Sequence, residues 1–200
     1  MDIKEQQLKI LEWPHPILRS PSQPVKVFDQ DLKRQVDSMW HTMYEAPGIG
    51  LAAPQVADAR RIFVMDCSLR EDATRRFVCI NPELHHLKGE ILSPEGCLSF
   101  PGLSVEVPRA EALTLKAQNI NGEWFEVELE GLEAICAQHE FDHLEGRSFL
   151  DLLGPLEQVA AMQDYIEALK TMSLSDREVV LARAEQVLFE LTQAALFGGE

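Results

Sequence analysis

Hydrophobic residues change their spacing several times along this 200-residue chain. From Leu32 to Met43 they recur at helical spacing, with charged residues between them. Asp29, a favoured N-cap residue, stands just before this run, and Pro47 follows it. The pattern therefore predicts an amphipathic helix over residues 30–45.

Between residues 61 and 130 the pattern changes to short apolar or alternating runs, which are typical of strands. The predicted strands cover residues 62–65, 77–80, 103–107, 113–117 and 124–129. Turn dipeptides at Asn81-Pro82, Pro101-Gly102 and Asn121-Gly122 are expected to separate them, and Asn-Gly is a strong hairpin signal. This middle region is therefore predicted to be mainly antiparallel β-sheet.

The helical spacing returns over residues 131–146, where Gly146 suits the left-handed position that ends a helix. One stripe of this helix carries Leu132, Ile135, Cys136, His139 and His143. Two further helices are predicted, one opened by Gly154-Pro155 and one capped by Ser173 or Ser175. The order predicts an α+β fold in which mainly antiparallel sheets pack around the helix of residues 131–146, with an N-terminal helix and C-terminal helices.

Charge and composition narrow the classes of partner. The formal net charge is −15, and residues 101–200 hold 19 acidic against 6 basic groups. Such a surface is a poor match for DNA or an anionic membrane, because polyanions select clustered Lys and Arg. No basic leader and no run of 18 apolar residues occurs, so a cytoplasmic protein is expected. The four widely spaced cysteines are expected to be free thiols or metal ligands rather than disulfides.

The segment His139-Glu140-Phe141-Asp142-His143 carries the strongest chemical signal. Two imidazoles one helical turn apart can bind one metal ion, which makes a bound water acidic, while the carboxylate of Glu140 can move a proton. The competing interpretation is that both histidines are core residues satisfied by backbone or water. We favour the metal site, because two buried histidines and a glutamate would all need partners.

A catalytic metal site of this kind needs a third protein ligand. Downstream glutamates offer one possibility: Glu157, Glu167 and Glu178. Cys97 offers another, since it lies in a glycine-flanked turn and a thiolate suits Zn²⁺ or Fe²⁺. Cys67 and Cys79 are interpreted as small buried apolar residues.

A third unusual run, residues 48–56, is small and apolar with one amide, Gln55, and is a weak signal by itself. Together with residues 95–99 and 138–143, in that order, it resembles the three signature motifs of peptide deformylases. These metal hydrolases remove the formyl group from the N-terminal formyl-methionine of nascent chains. The resemblance covers residues from about Leu8 to Leu153, and residues 154–200 fall mostly outside it. We expect a catalytic domain over residues 1–153, with residues 154–200 as a helical extension of the same globular unit.

The resemblance also implies the roles of individual residues. Cys97, His139 and His143 would be the metal ligands, and Glu140 would act as general base and then general acid. A metal-bound hydroxide would attack the formyl carbon, while the side-chain amide of Gln55 and the backbone N–H of Leu98 would stabilise the oxyanion.

Further roles concern the substrate and the frame of the site. The residues expected to border the peptide and its methionine side chain are Ile49, Gly50, Gly96, Leu132, Ile135 and Cys136. Backbone near Gly50 would pair with the peptide as an added strand. Glu95 and Arg109 would form an ion pair that braces the loop of Cys97, the alternative being a surface pair worth little.

The resemblance sets further expectations about cofactor and partners. One divalent ion is expected, Fe²⁺ by family likeness, although the ligands also suit Zn²⁺, Ni²⁺ and Co²⁺. Nascent formyl-Met chains would be the substrate. Ribosome docking through a basic C-terminal helix is not expected, because residues 155–200 hold only Lys170, Arg177 and Arg183 against eight acidic groups. A monomer is expected, with a dimer as the alternative.

Two other functions stay open. One is a different amidase or peptidase, and the other is a relative that binds metal or peptide N-termini without turnover.

Overall fold

The structure is a computed structural model that describes residues 7–68, 75–172 and 177–197. Its helices are α1 (Gln30–Glu45), α2 (Leu132–Leu144), α3 (Pro155–Thr171) and α4 (Glu178–Phe197). Its strands are β1 (Gly50–Ala52), β2 (Ile62–Asp66), β3 (Arg76–Lys88), β4 (Ile91–Cys97), β5 (Phe100–Arg109), β6 (Ala112–Gln118) and β7 (Trp124–Glu130). Short 3-10 turns cover Pro16–Arg19, Ala53–Val56 and Phe149–Leu152.

The strands form two antiparallel sheets. The larger sheet has the order β1-β2-β3-β6-β7, and the smaller consists of β4 and β5. Helix α2 contacts β1, β2, β6 and β7 of the larger sheet, and its buried residues share a hydrophobic cluster with that sheet. The predicted α+β fold with antiparallel sheets around the central helix is confirmed.

Several local predictions are confirmed. Helix α1 covers residues 30–45, and the Asp29 carboxylate accepts hydrogen bonds from the backbone N–H groups of Asp31 and Leu32. Gly146 follows the end of α2 with φ +70°, a left-handed conformation that favours glycine. The turn at Asn121-Gly122 joins β6 to β7.

Two predicted turns are wrong, because the dipeptides lie inside strands. Asn81-Pro82 falls within β3, where the pairing register shifts between Ile80 and Glu83. The Asn81 side chain binds the backbone N–H and carbonyl of Val25, so that its positive φ belongs to a bulge rather than a chain reversal. Pro101-Gly102 likewise lies near the start of β5.

Strands β1 and β4 were not among the predicted strands. β4 contains Pro94 and Gly96, which disfavour strands, and it forms because β5 pairs along its whole length. The four cysteines are free thiols, as expected. Cys79 is fully buried as predicted, whereas Cys67 is only partly buried, because it lies just beyond the end of β2.

The C-terminal helices pack on the smaller sheet. Tyr165 and Leu169 of α3 are fully buried in a cluster with Phe100, Leu103 and Val107 of β5, and α4 covers α3. The predicted caps of the last helix, Ser173 and Ser175, lie outside the described residues. No helix within the described ranges is long and apolar enough to cross a membrane.

Candidate metal centre and active site

Helix α2 presents two histidines to the same side of the molecule. His139 and His143 lie one turn apart, with their ring centroids 5.1 Å from each other. His143 is buried, and the side chain of His139 is 12% exposed. Their spacing of four residues places two imidazoles within reach of one ion.

Cys97 comes from a different element, the end of β4. The pairing of β4 with β5 shifts register after Gly96, so that Cys97 lies opposite Phe100 across a tight turn. The Cys97 Sγ atom lies 3.2 Å from Nε2 of His143. The ligand atoms of Cys97, His139 and His143 all lie within 4.8 Å of one another, a separation that fits three ligands of one metal ion.

The donor set and its surroundings fit a bound cation. His143 is buried and its Nδ1 atom has no hydrogen-bond partner in the described structure, so little besides the cluster holds this imidazole. The alternative third ligands lie elsewhere. Glu157 accepts a hydrogen bond from the Gly154 N–H, Glu167 pairs with Lys170, and Glu178 is exposed at the start of α4.

Gln55 reaches the same place from the 3-10 turn that follows β1. Its Oε1 atom accepts a hydrogen bond of 2.8 Å from the Ala52 N–H, which orients the amide. The Nε2 atom then points to the Ser99 hydroxyl at 3.2 Å and to the Cys97 sulfur at 3.5 Å. Gln55 is buried, so this N–H donor is held beside the ligand cluster in a region that excludes bulk water.

Behind the ligands lies a buried network of charged groups. Arg109 donates to both carboxylate oxygens of Glu95, at 2.8 and 3.0 Å, and to Asp142 at 2.6 Å. Because a carboxylate only accepts, the 2.8 Å contact between His139 Nδ1 and Glu95 means that His139 donates there. Asp142 also accepts from Arg147. The Glu95–Arg109 pair is therefore buried, not the surface pair of the alternative interpretation.

Asp142 is a member of this network that the sequence interpretation missed. It stands inside the segment that supplies the two histidines, three residues after His139. A carboxylate on the buried side of a helix needs a cationic partner. The need of Asp142 for a cation could have been inferred from the sequence. The sequence does not show that Arg109 is that cation.

Burial and neighbouring charges shift the pKa values in the site. Burial raises the pKa of Glu140 to about 7, although the nearby His139 opposes the shift. Burial, reinforced by His139, lowers the pKa of His143 well below its ordinary value. His139 behaves oppositely: burial disfavours its charged form, but Cys97 and Glu95 outweigh that effect and raise its pKa. Burial raises the pKa of Glu95, but the hydrogen bonds with His139 and Arg109 lower it by more. The pKa of Glu95 is therefore below its ordinary value.

An apolar cleft of about 530 Å³ opens beside the ligands. The predicted substrate-binding residues that line it are Ile49, Gly50, Gly96, Leu132, Ile135 and Cys136. Leu98, Gln55 and Glu140 also line it, together with Phe100 and Leu103, which were not predicted. A Cβ atom on Gly50 would lie 2.3 Å from a Glu140 carboxylate oxygen, so only glycine lets β1 approach that carboxylate so closely.

Comparison with known proteins agrees with this geometry. The family model for polypeptide deformylase matches residues 7–159. A peptide deformylase of Chromobacterium violaceum is 50% identical over 151 residues, which are 76% of this chain and 89% of that relative. One from Acidobacterium capsulatum is 44% identical over 74% of this chain and 88% of its own length.

Solved structures of peptide deformylases are also similar to this chain. A peptide deformylase from Legionella pneumophila superposes with a TM-score of 0.78 and 39% identity, covering 84% of this chain and all of that one. The Thermotoga maritima peptide deformylase has a TM-score of 0.70 and 41% identity, covering 75% of this chain and 99% of the other.

A helix bearing two histidines and a glutamate, with a cysteine from a strand end beside them and a cleft alongside, could hold a metal ion as metal-dependent hydrolases do. The chain belongs to the polypeptide deformylase family. It is an enzyme of that family, whose members remove the formyl group from N-terminal methionine.

Proposed function

We propose that this enzyme hydrolyses the formyl amide of formyl-methionine at the N-terminus of new peptide chains and releases formate. The observation that carries the proposal is the place of Glu140. This carboxylate is buried at the wall of an apolar cleft, on the same helix as His139 and His143, whose ligand atoms converge with that of Cys97.

Cys97, His139 and His143 would hold one divalent ion. When bound, such an ion makes a water molecule acidic and polarises a carbonyl oxygen. One thiolate and two imidazoles suit Fe²⁺, Zn²⁺, Ni²⁺ and Co²⁺. We propose Fe²⁺ as the native metal because the deformylase likeness implies it.

Glu140 moves the proton in this proposal. Its carboxylate takes a proton from the attacking water and then gives it to the amine that leaves as the C–N bond breaks. Burial raises the pKa of this carboxyl to about 7, and a raised pKa makes a carboxylate a better proton acceptor for the attacking water. Oε2 of Glu140 is buried and has no hydrogen-bond partner in the described structure, and Glu140 is among the residues that line the cleft.

Gln55 and Leu98 stabilise the developing negative charge. The Gln55 Nε2 group already points to the ligand cluster and can donate to a substrate oxygen placed there. Leu98 lines the cleft next to Cys97, where its backbone N–H is the second proposed donor. Each such donor is worth roughly 3 kcal/mol of barrier reduction.

The cleft selects the substrate side chain. Apolar groups of Ile49, Leu132, Ile135 and Cys136 form walls that suit an unbranched thioether. Strand β1 is at the edge of its sheet and also lines the cleft, so that a peptide can pair with the backbone near Gly50. The Glu95–Arg109 pair keeps His139 and the end of β4 in place.

The proposal also covers the cellular location, ribosome docking and oligomeric state of the enzyme. Formyl-methionine chains come from ribosomes, so the reaction belongs in the cytoplasm. Docking through a basic C-terminal helix is not part of the proposal, because Lys170 is paired with Glu167 and Arg177 with Glu12. We propose a monomer in which residues 154–200 are an extension of the same unit as residues 1–153, as the packing of α3 on β5 supports.

The test is formate release from a short formyl-Met peptide by protein purified without air, with metal content measured in the same sample. The acetyl-Met peptide is the matched control. Release from the formyl peptide alone supports the proposal. Cleavage of the acetyl peptide would favour another amidase, and no release from metal-loaded protein would favour a binding protein without turnover.

A further inference from the structure

Tyr165 lies on α3, beyond residue 159, where the match to the family model ends. Its side chain is fully buried, and its hydroxyl donates a 2.9 Å hydrogen bond to the backbone carbonyl of Trp13. Burial also raises the pKa of this hydroxyl above its ordinary value. A buried hydroxyl in such a bond holds its acceptor firmly, because losing the bond leaves an unsatisfied carbonyl.

The backbone of Trp13 is in turn bound to the turn that carries Cys97. The Trp13 N–H donates to the Ser99 carbonyl at 2.9 Å. Ser99 then contacts two groups of the proposed site. Its hydroxyl accepts from Gln55 Nε2 at 3.2 Å, and its N–H points to the Cys97 sulfur at 3.4 Å. Tyr165 is therefore three hydrogen bonds from both Gln55 and Cys97.

The aromatic ring of Tyr165 is also connected to the site, through a series of ring–ring contacts. It packs against Phe100 with centroids 5.2 Å apart, and Phe100 packs against Trp13 at 5.3 Å and Phe149 at 4.8 Å. Phe149 contacts the ring of His139 at 6.0 Å. The hydroxyl and the ring of Tyr165 thus support different sides of the ligand cluster.

Helix α3 also packs against Gly102, one of the residues that line the cleft. A Cβ atom on Gly102, which lines the cleft, would lie 2.8 Å from Met172 and 2.9 Å from Ala168. The C-terminal end of α3 is consequently packed closely against the start of β5, with no room for a side chain at Gly102. A displacement of α3 would be transmitted to the turn between Cys97 and Phe100.

We propose that Tyr165 is a positioning residue for this reaction, whose hydroxyl fixes Trp13 and, through Ser99, the places of the Gln55 amide and the Cys97 sulfur. The inference rests on the proposed function for the roles of Gln55 and Cys97. Tyr165 does not line the cleft, so it acts through the residues it holds.

Tyr165→Phe is the variant that tests the hydroxyl, because it keeps the ring and its contacts. Thr192→Val is the matched control. Thr192 donates to the Leu188 carbonyl at 2.8 Å on α4, so the control also removes one partly buried hydroxyl bond from the helix pair but has no link to Ser99. Tyr165→Phe should lower kcat about three- to tenfold with KM within about twofold, because a misplaced donor weakens transition-state contacts more than substrate binding.

Amide hydrogen exchange of the metal-loaded protein, followed by mass spectrometry, gives a readout besides activity. In Tyr165→Phe, peptides that contain Trp13 and residues 97–103 should exchange at least about threefold faster than in the parent protein, while peptides from β6 and β7 keep their rates. Thr192→Val should leave residues 97–103 unchanged.

Equal kcat and equal exchange in the two variants would overturn the inference, and so would a uniform rise in exchange along the chain, which is the mark of general destabilisation. If the parent protein released no formate, the proposed function would fail. The exchange pattern would still decide whether the Tyr165 hydroxyl holds the turn.

Discussion

The cleft around α2 and the pair of helices α3 and α4 are stabilised in different ways. Behind the cleft, Arg109 and Glu95 have only 4% and 6% of their side chains exposed and are bound to each other. In the helix pair, Leu169 and Ile166 supply the buried contacts, and ion pairs such as Lys170 with Glu167 lie at the surface.

The comparison shows where a single polar group matters. A charge held away from water has few alternative partners, so its removal leaves the other charge unpaired. A surface pair exchanges its partner for water at little cost. We therefore expect removal of the buried charges behind the cleft to be costly and removal of surface charges on the helix pair to be cheap, whereas loss of apolar volume should be costly in both.

The largest expected effect is on turnover in the cleft. Glu140→Ala removes the group that moves the proton and should lower kcat for formate release by roughly 10³-fold. Metal content, measured on the same sample, should be unchanged, because Glu140 is not one of the three proposed ligands. A variant that kept full turnover would refute the proposed role of Glu140.

The largest expected effect on stability comes from Arg109→Met, which leaves Glu95 and Asp142 buried without their shared cation. The free energy of unfolding, from urea titration, should fall by about 3–5 kcal/mol. Lys170→Met is the control on the helix pair and should not change the urea midpoint measurably. Similar losses in the two variants would break the comparison.

Leu169→Ala tests the apolar packing of the helix pair. Leu169 is fully buried on α3, and removal of its side chain should cost about 3 kcal/mol through lost burial and a cavity. The kcat of the folded protein should fall less than it does in Tyr165→Phe, because Leu169→Ala keeps the hydrogen bonds that link Tyr165 to Trp13 and Ser99. A large fall in kcat at unchanged metal content would show that packing alone positions the site.

The smallest expected effect is a pH dependence. Hydrogen bonds with His139 and Arg109 outweigh burial and hold the pKa of Glu95 below its ordinary value. A lowered pKa in the folded state means that Glu95 adds stability above its ordinary pKa and loses it as pH falls through the folded value. Glu95→Gln should therefore be less stable than the parent at pH 7, and the difference should shrink on acidification, as followed by thermal unfolding. A difference independent of pH would contradict this assignment.

Much of the fold was predictable because its rules are local. Asp29 caps α1, Gly146 ends α2, and Asn121-Gly122 makes a hairpin through contacts within a few residues. The turns predicted at Asn81-Pro82 and Pro101-Gly102 failed for the opposite reason. Val25, 56 residues away in the chain, binds the Asn81 side chain and makes a bulge there.

The same distinction holds within the site. His139, Glu140 and His143 were found by motif, since their types and spacing carry the chemical signal. The roles of Cys97 and Gln55 came from the family resemblance. The links from Tyr165 through Trp13 to Ser99 carry no such signal, because Tyr165 and Trp13 are 152 residues apart. Neither residue type by itself suggests a role at a metal site.

The sequence by itself determined the helices α1 and α2, the mainly antiparallel middle region, the helical spacing of His139 and His143, and the resemblance that led to the family. Only the tertiary structure decided that Cys97 lies beside His143, that Glu140 is buried with a pKa of about 7, and that α3 packs on the start of β5. The reason is physical. Backbone propensity and side-chain periodicity act over a few residues, whereas burial and its effect on charge depend on segments that meet only when the whole chain packs.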